Sequence, residues 1–208
     1  MQLKIFVLLL LFASVGFAVG ARILRAKSDA SDGSSMLSTD QDRNGRGSGV
    51  ETDEDVLIPA NRAEAAPEIA GDKWINSDPL TIKELRGKVV LIDFWTFGCY
   101  NCVNTLPTLR RFHEQYASKG LVIVGVETPE TPFERVFDNL VKAVNKRGIE
   151  YPVVTDYDNK TWDAYGVNAW PTVVIVDKGG RIRYVHVGEG QYATQESVIT
   201  KLLAEDKR

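Results

Sequence analysis

The eight residues from Lys88 to Trp95, KVVLIDFW, limit the fold of this chain more than any other stretch. All of them except Lys88 and Asp93 are apolar, and such a run is typical of a strand that is buried on both faces. From Val103 to Tyr116 the apolar residues recur at spacings of three and four, which predicts a helix with one buried face. A buried strand that leads within a few residues into such a helix indicates a β-α unit of an α/β protein.

The rest of the pattern predicts a sheet with both parallel and antiparallel strands. GLVIVGVE predicts a second central strand, and TVVIVD and RIRYVHVG flank a tight hairpin at 178–180. Between GLVIVGVE and TVVIVD the sequence predicts a helix over 132–146, with Phe133 and Val136 facing inward, and a short strand, YPVVTD. NKTWDAYGV predicts one or two helical turns, and an amphipathic helix with Val198, Leu202 and Leu203 on one side ends the chain. The order β-α-β, α-β, α-β-β-α therefore predicts a central mixed sheet with helices on both faces.

The first twenty residues have the composition of a secretory signal. A charged start precedes an apolar run from Ile5 to Gly20, which ends in small residues that suit a signal peptidase. Residues 1–20 are therefore predicted to be a signal peptide, and an uncleaved membrane anchor is the alternative. In both cases the remainder of the chain leaves the reducing cytosol, so a disulfide can form and persist in it.

Residues 21–66 are predicted to be a disordered leader or tether. This segment consists largely of Ser, Asp, Gly and Glu, so it cannot bury enough apolar surface to offset its ordering entropy. The globular domain is predicted to cover 67–208. Near its start, LTIKELRGK predicts a short helix with Thr81 as its cap.

The composition of the whole chain excludes some classes of function. A hydrophobic fraction of 44% and a charged fraction of 25% are typical of a soluble globular protein. The net charge of -3 is mild, and Lys and Arg form no basic stripe. A nucleic-acid partner is therefore not expected.

The chain contains two cysteines, Cys99 and Cys102, and their spacing permits three uses. A zinc site needs four ligands, and the two histidines, His113 and His186, lie on separate predicted elements, so no metal site is expected. A structural disulfide across so short a loop would contribute only about 2 kcal/mol. Redox chemistry explains the pair better than either of these.

In the redox interpretation the two sulfurs have different roles. Cys99 falls where the buried strand gives way to the helix, at or just before the first helical turn. Unpaired backbone N–H groups and the helix dipole favour a thiolate there, so Cys99 is predicted to attack a partner and form a mixed disulfide. Cys102, one turn further in, is predicted to resolve that mixed disulfide.

Two stretches, VVLIDFWTFGCYNCVNTLP and AWPTVVIVD, resemble the thioredoxin superfamily. The extra α-β unit between Glu127 and Asp156, together with LTIKELRGKVVLIDFW, resembles its TlpA and DipZ branch of extracytoplasmic thiol-disulfide oxidoreductases. The resemblance covers 67–208 and implies a thioredoxin-like fold with an α-β insertion of the TlpA type. It also implies thiol- or disulfide-containing proteins as partners, and no cofactor.

The resemblance assigns roles to individual residues. Cys99 and Cys102 match the nucleophilic and resolving cysteines, and Asp93 matches the buried acid that accepts the proton of the resolving thiol. A carboxylate in an apolar strand is costly unless it holds its proton tightly, which suits acid-base work; an Asp bonded to backbone at a strand end is the alternative. Pro171 matches a cis-proline opposite the dithiol, and its alternative is a trans residue that opens a strand.

Four further residues are predicted to contact the substrate. Trp170 would line a substrate groove and Trp95 would cover the cysteines, with core packing as the alternative for both. Tyr100 and Asn101 separate the cysteines and match neither the reducing thioredoxins nor the strong oxidants, so the direction of electron flow stays open. Some TlpA-type reductases carry a Glu where this chain has Thr105, so a role in cytochrome maturation does not follow.

Two short motifs add hypotheses about processing and targeting. Asn159 begins an N-glycosylation sequon, which is meaningful in a eukaryotic host. Arg22, Leu24 and Arg25 form an RxLR-like pattern that, with DQDR further along the leader, resembles the host-targeting signals of secreted oomycete effectors. A basic junction followed by a solvated tail is the ordinary alternative.

These observations support one leading prediction and two alternatives. The leading prediction is a secreted thiol-disulfide oxidoreductase that acts on partner proteins. One alternative is an effector that uses the same fold to bind host proteins. The other is a membrane-anchored reductase supplied by a membrane electron donor. Because one fold can carry different functions, loss of both cysteines distinguishes the enzyme from the effector, and N-terminal sequencing of the mature protein identifies an anchored form.

Overall fold

The computed structural model describes residues 56–206. The predicted signal peptide, the RxLR-like motif and most of the predicted leader lie outside this part of the chain. Among residues 56–206, no helix is both long enough and apolar enough to span a membrane.

Within the part of the chain that the structure describes, six strands form one sheet with KVVLIDFW near its centre. In chain order the strands are β1 (Trp74–Ile75), β2 (Val89–Trp95), β3 (Leu121–Glu127), β4 (Val153–Thr155), β5 (Thr172–Val176) and β6 (Ile182–Val187). Their spatial order is β1-β4-β3-β2-β5-β6. β3 pairs parallel with β2 and β4, whereas the other pairs are antiparallel. The mixed sheet predicted from the sequence is confirmed.

Helices cover the sheet on both faces. They are α1 (Tyr100–Tyr116), α2 (Phe137–Lys146), α3 (Lys160–Ala164) and α4 (Tyr192–Ala204), with a short 3-10 helix at Ala117–Lys119 that extends α1. The predicted α-β insertion consists of α2 and β4. It follows β3 and adds a parallel strand to the sheet.

Side chains alternate along β2 and enter two cores. Val89, Leu91 and Trp95 enter the core that contains the buried faces of α1, α2 and α4, here called the α1-side core. The even-numbered residues of β2 pack on the opposite face, against α3 and the segment that precedes β2. Burial on both faces explains why every residue of β2 except Asp93 is apolar, since each such side chain contributes about 1.5–3 kcal/mol when fully buried.

The helix predicted over 132–146 begins only at Phe137. Phe133 is 65% exposed and Val136 is 49% exposed, so the prediction that they face the core is wrong. The side chain that turns inward is that of Glu134, which is buried and accepts hydrogen bonds from the surrounding loops. These bonds hold the segment as a turn around the carboxylate instead of a first helical turn.

The short helix predicted after Thr81 is a single turn. The N–H of Leu85 donates to the Thr81 carbonyl oxygen at 3.1 Å, and the Thr81 hydroxyl caps this turn by accepting the N–H of Glu84 at 3.1 Å. Gly87 then adopts a φ of 91°, in the left-handed region, which ends the helical path. Its N–H donates to the carbonyl of Lys178 at 2.8 Å, so the chain is tied to the β5-β6 hairpin.

Regular contacts begin ahead of the predicted domain boundary. The N–H of Ile58 donates to the Arg183 carbonyl at 2.8 Å, and the N–H of Ala66 donates to the Gly180 carbonyl at 3.0 Å. Ala66 is also buried. Ile58 and Ala66 are therefore tied to the β5-β6 hairpin through their backbones, while Val56 and Leu57 pack against the α1-side core.

Candidate active site

The two cysteines lie where β2 gives way to α1, as the sequence predicts. Cys99 is the N-cap residue of α1, with an extended backbone (φ -76°, ψ 121°), and Cys102 lies in the first turn. The backbone N–H of Cys102 donates to the Cys99 sulfur at 3.2 Å. Cys99 is partly exposed whereas Cys102 is fully buried, so the Cys99 sulfur is the more accessible of the two.

The Cys102 thiol holds its proton tightly. Burial raises the pKa of Cys102 well above its ordinary value, and the hydrogen bond with Cys99 and the charge of Asp93 raise it further. Both cysteines are free thiols in the structure. A buried thiol becomes a nucleophile only when a base removes its proton. The reactivity of Cys102 therefore depends on whether the carboxylate of Asp93 can accept that proton.

Asp93 is fully buried on the same face of the sheet as Cys102. It lies between Leu91 and Trp95 in the alternation of β2, and all three side chains point toward the α1-side core. Neither oxygen of its carboxyl group has a hydrogen-bond partner within residues 56–206, so the alternative of a backbone-bonded Asp does not hold. Burial raises the pKa of Asp93 from 3.8 to about 7, so this group can exchange a proton near neutral pH.

The Trp170–Pro171 peptide bond is cis, as the resemblance implies. β5 and β2 pair in register through Thr172 and Phe94. Pro171 therefore lies at the end of β2 from which the chain continues to Cys99. The sheet brings the cis-proline and the dithiol to the same edge.

The four residues predicted to contact the substrate differ in their exposure. Tyr100 is 78% exposed and Asn101 is also exposed, so both are accessible beside Cys99. Trp170 is partly buried, and its ring lies 4.6 Å from that of Trp162. Trp95 is fully buried, so its predicted contact with substrate is wrong. The alternation of β2 sends this side chain beneath α1.

The predicted glycosylation site lies in an exposed turn ahead of α3. Asn159 is exposed, with a φ of 58°. Thr161, the third residue of the sequon, is fully buried, and its hydroxyl donates to the carbonyl oxygen of Ala70 at 2.8 Å. The acceptor asparagine is therefore accessible, while the threonine is part of the fold.

Glu127 resembles Asp93 in being an acid that is buried without a hydrogen-bond partner in the described part of the chain, and the sequence patterns did not single it out. It ends β3, is fully buried, and neither of its carboxyl oxygens has a hydrogen-bond partner within residues 56–206. Burial raises the pKa of Glu127 from 4.5 to about 8, and the charge of Glu134 adds to the increase. A signal was present in GLVIVGVE, where one acid ends an otherwise apolar strand, much as Asp93 interrupts KVVLIDFW.

Replacing Glu127 with glutamine is expected to stabilise the protein at alkaline pH. The native state keeps this proton up to a pKa of about 8, whereas the unfolded chain loses it near 4.5. The unfolded state therefore binds fewer protons between these values, so wild-type stability falls as the pH rises through them. At about 1.4 kcal/mol for each pH unit, less about 1–3 kcal/mol for an unpaired buried amide, Glu127→Gln should exceed the wild type in free energy of unfolding by about 3 kcal/mol at pH 9.

Urea unfolding at pH 5 and at pH 9 measures this difference. Glu130→Gln makes the same change at an exposed position three residues further along and should shift stability by less than about 0.5 kcal/mol at either pH. Equal stabilities of Glu127→Gln and the wild type at pH 9 would contradict the raised pKa.

The site as a whole combines an accessible thiol, a buried thiol and a buried acid. Within residues 56–206, no group of three or more His, Cys, Asp and Glu side chains is arranged to hold a metal ion. The three groups suit sequential sulfur chemistry: one sulfur can attack, the second can follow, and the acid can take the second proton.

Comparison with known proteins gives relatives along most of the described region. DipZ of Mycobacterium tuberculosis is 38% identical over 146 residues, which are 68% of this chain and 21% of DipZ. The chain thus spans about a fifth of the length of that relative. The thiol-disulfide oxidoreductase ResA of Bacillus anthracis is 31% identical over 124 residues, which are 59% of this chain and 68% of ResA.

A solved structure and a family match agree with these relatives. A thioredoxin-like superfamily protein superimposes with a TM-score of 0.66 and 26% identity, over 70% of this chain and 100% of that protein. Residues 63–203 match the Redoxin family, which is more than half of the chain. The resemblance to the TlpA and DipZ branch is confirmed, and the chain belongs to the Redoxin family of thiol-disulfide oxidoreductases with the thioredoxin fold.

Proposed function

We propose that this protein is secreted and catalyses thiol-disulfide exchange on partner proteins through Cys99 and Cys102. The observation that supports this most directly is the asymmetry of the pair. The accessible Cys99 sulfur accepts a backbone N–H at 3.2 Å, and the second thiol is fully buried on the same side of the sheet as Asp93. The accessible Cys99 sulfur suits attack on a partner disulfide, and the buried Cys102 suits resolution of the mixed disulfide.

In the reducing direction, the Cys99 thiolate attacks one sulfur of a partner disulfide. A bond forms between Cys99 and that sulfur, the S–S bond of the partner breaks, and the other partner sulfur leaves as a thiolate that takes a proton from solvent. The Cys102 N–H stabilises negative charge on Cys99 before the attack. In the oxidising direction the same N–H stabilises Cys99 when it leaves the mixed disulfide as a thiolate.

Cys102 completes the cycle. Its proton passes to Asp93, whose pKa of about 7 lets it take up a proton near neutrality. The Cys102 thiolate attacks the Cys99 sulfur, the internal disulfide forms, and the partner leaves as a thiolate. Two electrons have then passed from the chain to the partner, and the same steps in reverse oxidise a partner dithiol.

Replacing Cys102 with serine tests this order of attack. Cys99 should still form a mixed disulfide, but no second thiol resolves it, so the adduct should accumulate. Incubation with insulin or scrambled ribonuclease, followed by mass spectrometry without reductant, measures the adduct. If Cys102→Ser forms no adduct while the wild type reduces insulin, Cys99 is not the attacking sulfur.

Secretion is supported by the predicted signal peptide at 1–20, outside the described residues. Because the signal is expected to be cut after Gly20 or Ala21, the mature protein should begin at Ala21 or Arg22. N-terminal sequencing of the exported protein checks this. An intact Met1 on membrane-bound protein would instead support the anchored reductase.

The RxLR-like pattern in the leader favours a second candidate, a non-enzymatic role in which the fold binds host proteins. In that case a variant without both Cys99 and Cys102 should still bind its target and produce the same phenotype. Changing Arg22, Leu24 and Arg25 to alanine should then abolish entry into host cells. Unchanged uptake of this variant would remove the effector role.

A further inference from the structure

The inserted unit, residues 128–155, holds the loop that leads from β2 to Cys99. Residues 95–98 all receive or donate a hydrogen bond across this boundary. The contacts are Thr128 N–H to Trp95 O (3.0 Å), Thr96 Oγ1 to Glu134 Oε1, Arg147 Nη2 to Phe97 O (2.9 Å) and Gly98 N–H to Glu134 Oε1 (2.9 Å). The approach to the nucleophile is therefore fixed by a different part of the chain.

Glu134 contributes two of these contacts through a single carboxylate. Its Oε1 accepts from Thr96 and Gly98, while its Oε2 accepts from the N–H of Glu130 (2.9 Å) and from the N–H (2.8 Å) and hydroxyl (3.0 Å) of Thr131. The residue is only 3% exposed. Burial acts to raise the pKa of Glu134, but these hydrogen bonds hold it below its ordinary value, so the group is ionised at neutral pH.

Gly98 provides a second, steric observation at the same place. A Cβ atom on Gly98 would lie 2.3 Å from Glu134 Oε1, far inside van der Waals contact. A glycine at this position lets the carboxylate reach the backbone of the loop directly. The contact between Glu134 and the loop therefore depends on Gly98 having no side chain.

We propose that Glu134 is a positioning residue for thiol-disulfide exchange, which fixes the 96–98 loop and thereby holds the Cys99 sulfur against the N-terminus of α1. This inference rests on the proposed function of the cysteine pair. Cys99 N–H donates to the Thr96 carbonyl at 3.3 Å, and Cys99 Sγ accepts the Cys102 N–H at 3.2 Å. Release of Thr96 and Gly98 would loosen both contacts and reduce the stabilisation of the thiolate.

The charge of Glu134 and its hydrogen bonds should affect the reactivity of Cys99 in opposite directions. A carboxylate next to the loop opposes negative charge on Cys99, so loss of that charge alone would make Cys99 more reactive. If Glu134 acts by positioning, loss of its hydrogen bonds should make Cys99 less reactive despite the removed charge. If Glu134 only stabilises the fold, its replacement should not slow the reaction of Cys99 in molecules that remain folded.

The test measures alkylation of Cys99 by iodoacetamide between pH 5 and pH 9, in a Cys102→Ser background. Glu134→Leu, which removes the charge together with both acceptor oxygens, and Thr96→Val should react at least about tenfold more slowly than the background protein at pH 7. Thr96→Ser keeps the hydroxyl donor, and Glu130→Gln removes an exposed charge from the same loop. Both controls should stay within about twofold.

Thermal unfolding identifies which variants remain folded. If Glu134→Leu does not fold, Thr96→Val still tests the proposal, because it deletes one donor and leaves the carboxylate with its other four hydrogen bonds. Alkylation of a folded variant at the background rate, or faster, would overturn the positioning role. The assay needs no protein partner, so its failure is distinguishable from failure of the proposed function, which would show as absence of a mixed disulfide.

Discussion

Replacing Cys99 with serine is expected to lower disulfide reductase activity at least about 1000-fold, to the uncatalysed rate. A serine hydroxyl stays protonated at neutral pH and does not attack a disulfide. Cys102 cannot take over, because it is fully buried and burial raises the pKa of its thiol far above neutrality. Insulin reduction with dithiothreitol as the electron source measures the loss.

Cys102→Ser is the matched control for this experiment. Both variants exchange one sulfur for one oxygen, but only Cys102→Ser should keep the first attack and react with a small aromatic disulfide in a single turnover. Circular dichroism should show that both are folded. A Cys99→Ser protein with wild-type activity would show that the accessible sulfur is not the nucleophile.

Replacing Asp93 with asparagine is expected to stabilise the fold at neutral and alkaline pH. The native state keeps the Asp93 proton up to a pKa of about 7, whereas the unfolded chain loses it near 3.8. The unfolded state binds fewer protons between these values, so wild-type stability falls as the pH rises through them. At about 1.4 kcal/mol for each pH unit, less about 1–3 kcal/mol for an unpaired buried amide, the net gain at pH 8 is about 2 kcal/mol.

The same substitution should slow the second half of the reaction. An asparagine accepts no proton from Cys102, so resolution of the mixed disulfide is expected to slow by about 100-fold, while the first attack by Cys99 changes little. Stopped-flow release of a fluorescent thiol from the mixed disulfide measures this step.

Glu127→Gln controls for stability alone, since it also replaces a buried acid but lies one strand away, at the end of β3. It should gain stability at alkaline pH without slowed resolution. Wild-type resolution in Asp93→Asn would mean that another group takes the Cys102 proton. Unchanged stability of Asp93→Asn at pH 8 would contradict its raised pKa.

The features that the sequence predicted depend on local pattern. A run as apolar as Val89–Trp95 is stable mainly in the middle of a sheet that is covered on both faces. The helical spacing after Cys102 then predicts that the cysteines lie at the β2-α1 boundary. Asp93 was recognisable because a lone acid in such a run has no solvent to face. The motif around Pro171 carried the resemblance that implied its cis bond.

The features that the sequence did not predict depend on contacts between distant segments. Phe133 and Val136 fit a helical stripe, yet they face solvent because Glu134 turns inward to bind residues 36 and 38 positions earlier. The spacing of apolar residues does not indicate that a carboxylate between them is buried. Trp95 was misassigned for a related reason: its nearness to the cysteines in sequence gives no indication that strand alternation buries it beneath α1.

Equilibration of the purified protein with graded glutathione buffers, followed by a count of free thiols, tests the redox role of Cys99 and Cys102 most directly. We predict one transition in which both thiols disappear together, with the two-electron slope of about 30 mV per tenfold change. A midpoint of about -270 mV, as in thioredoxin, would indicate a reductase, and one of about -120 mV, as in DsbA, an oxidant. Thiols that stay reduced at every ratio, or zinc that co-purifies bound to both sulfurs, would contradict the account.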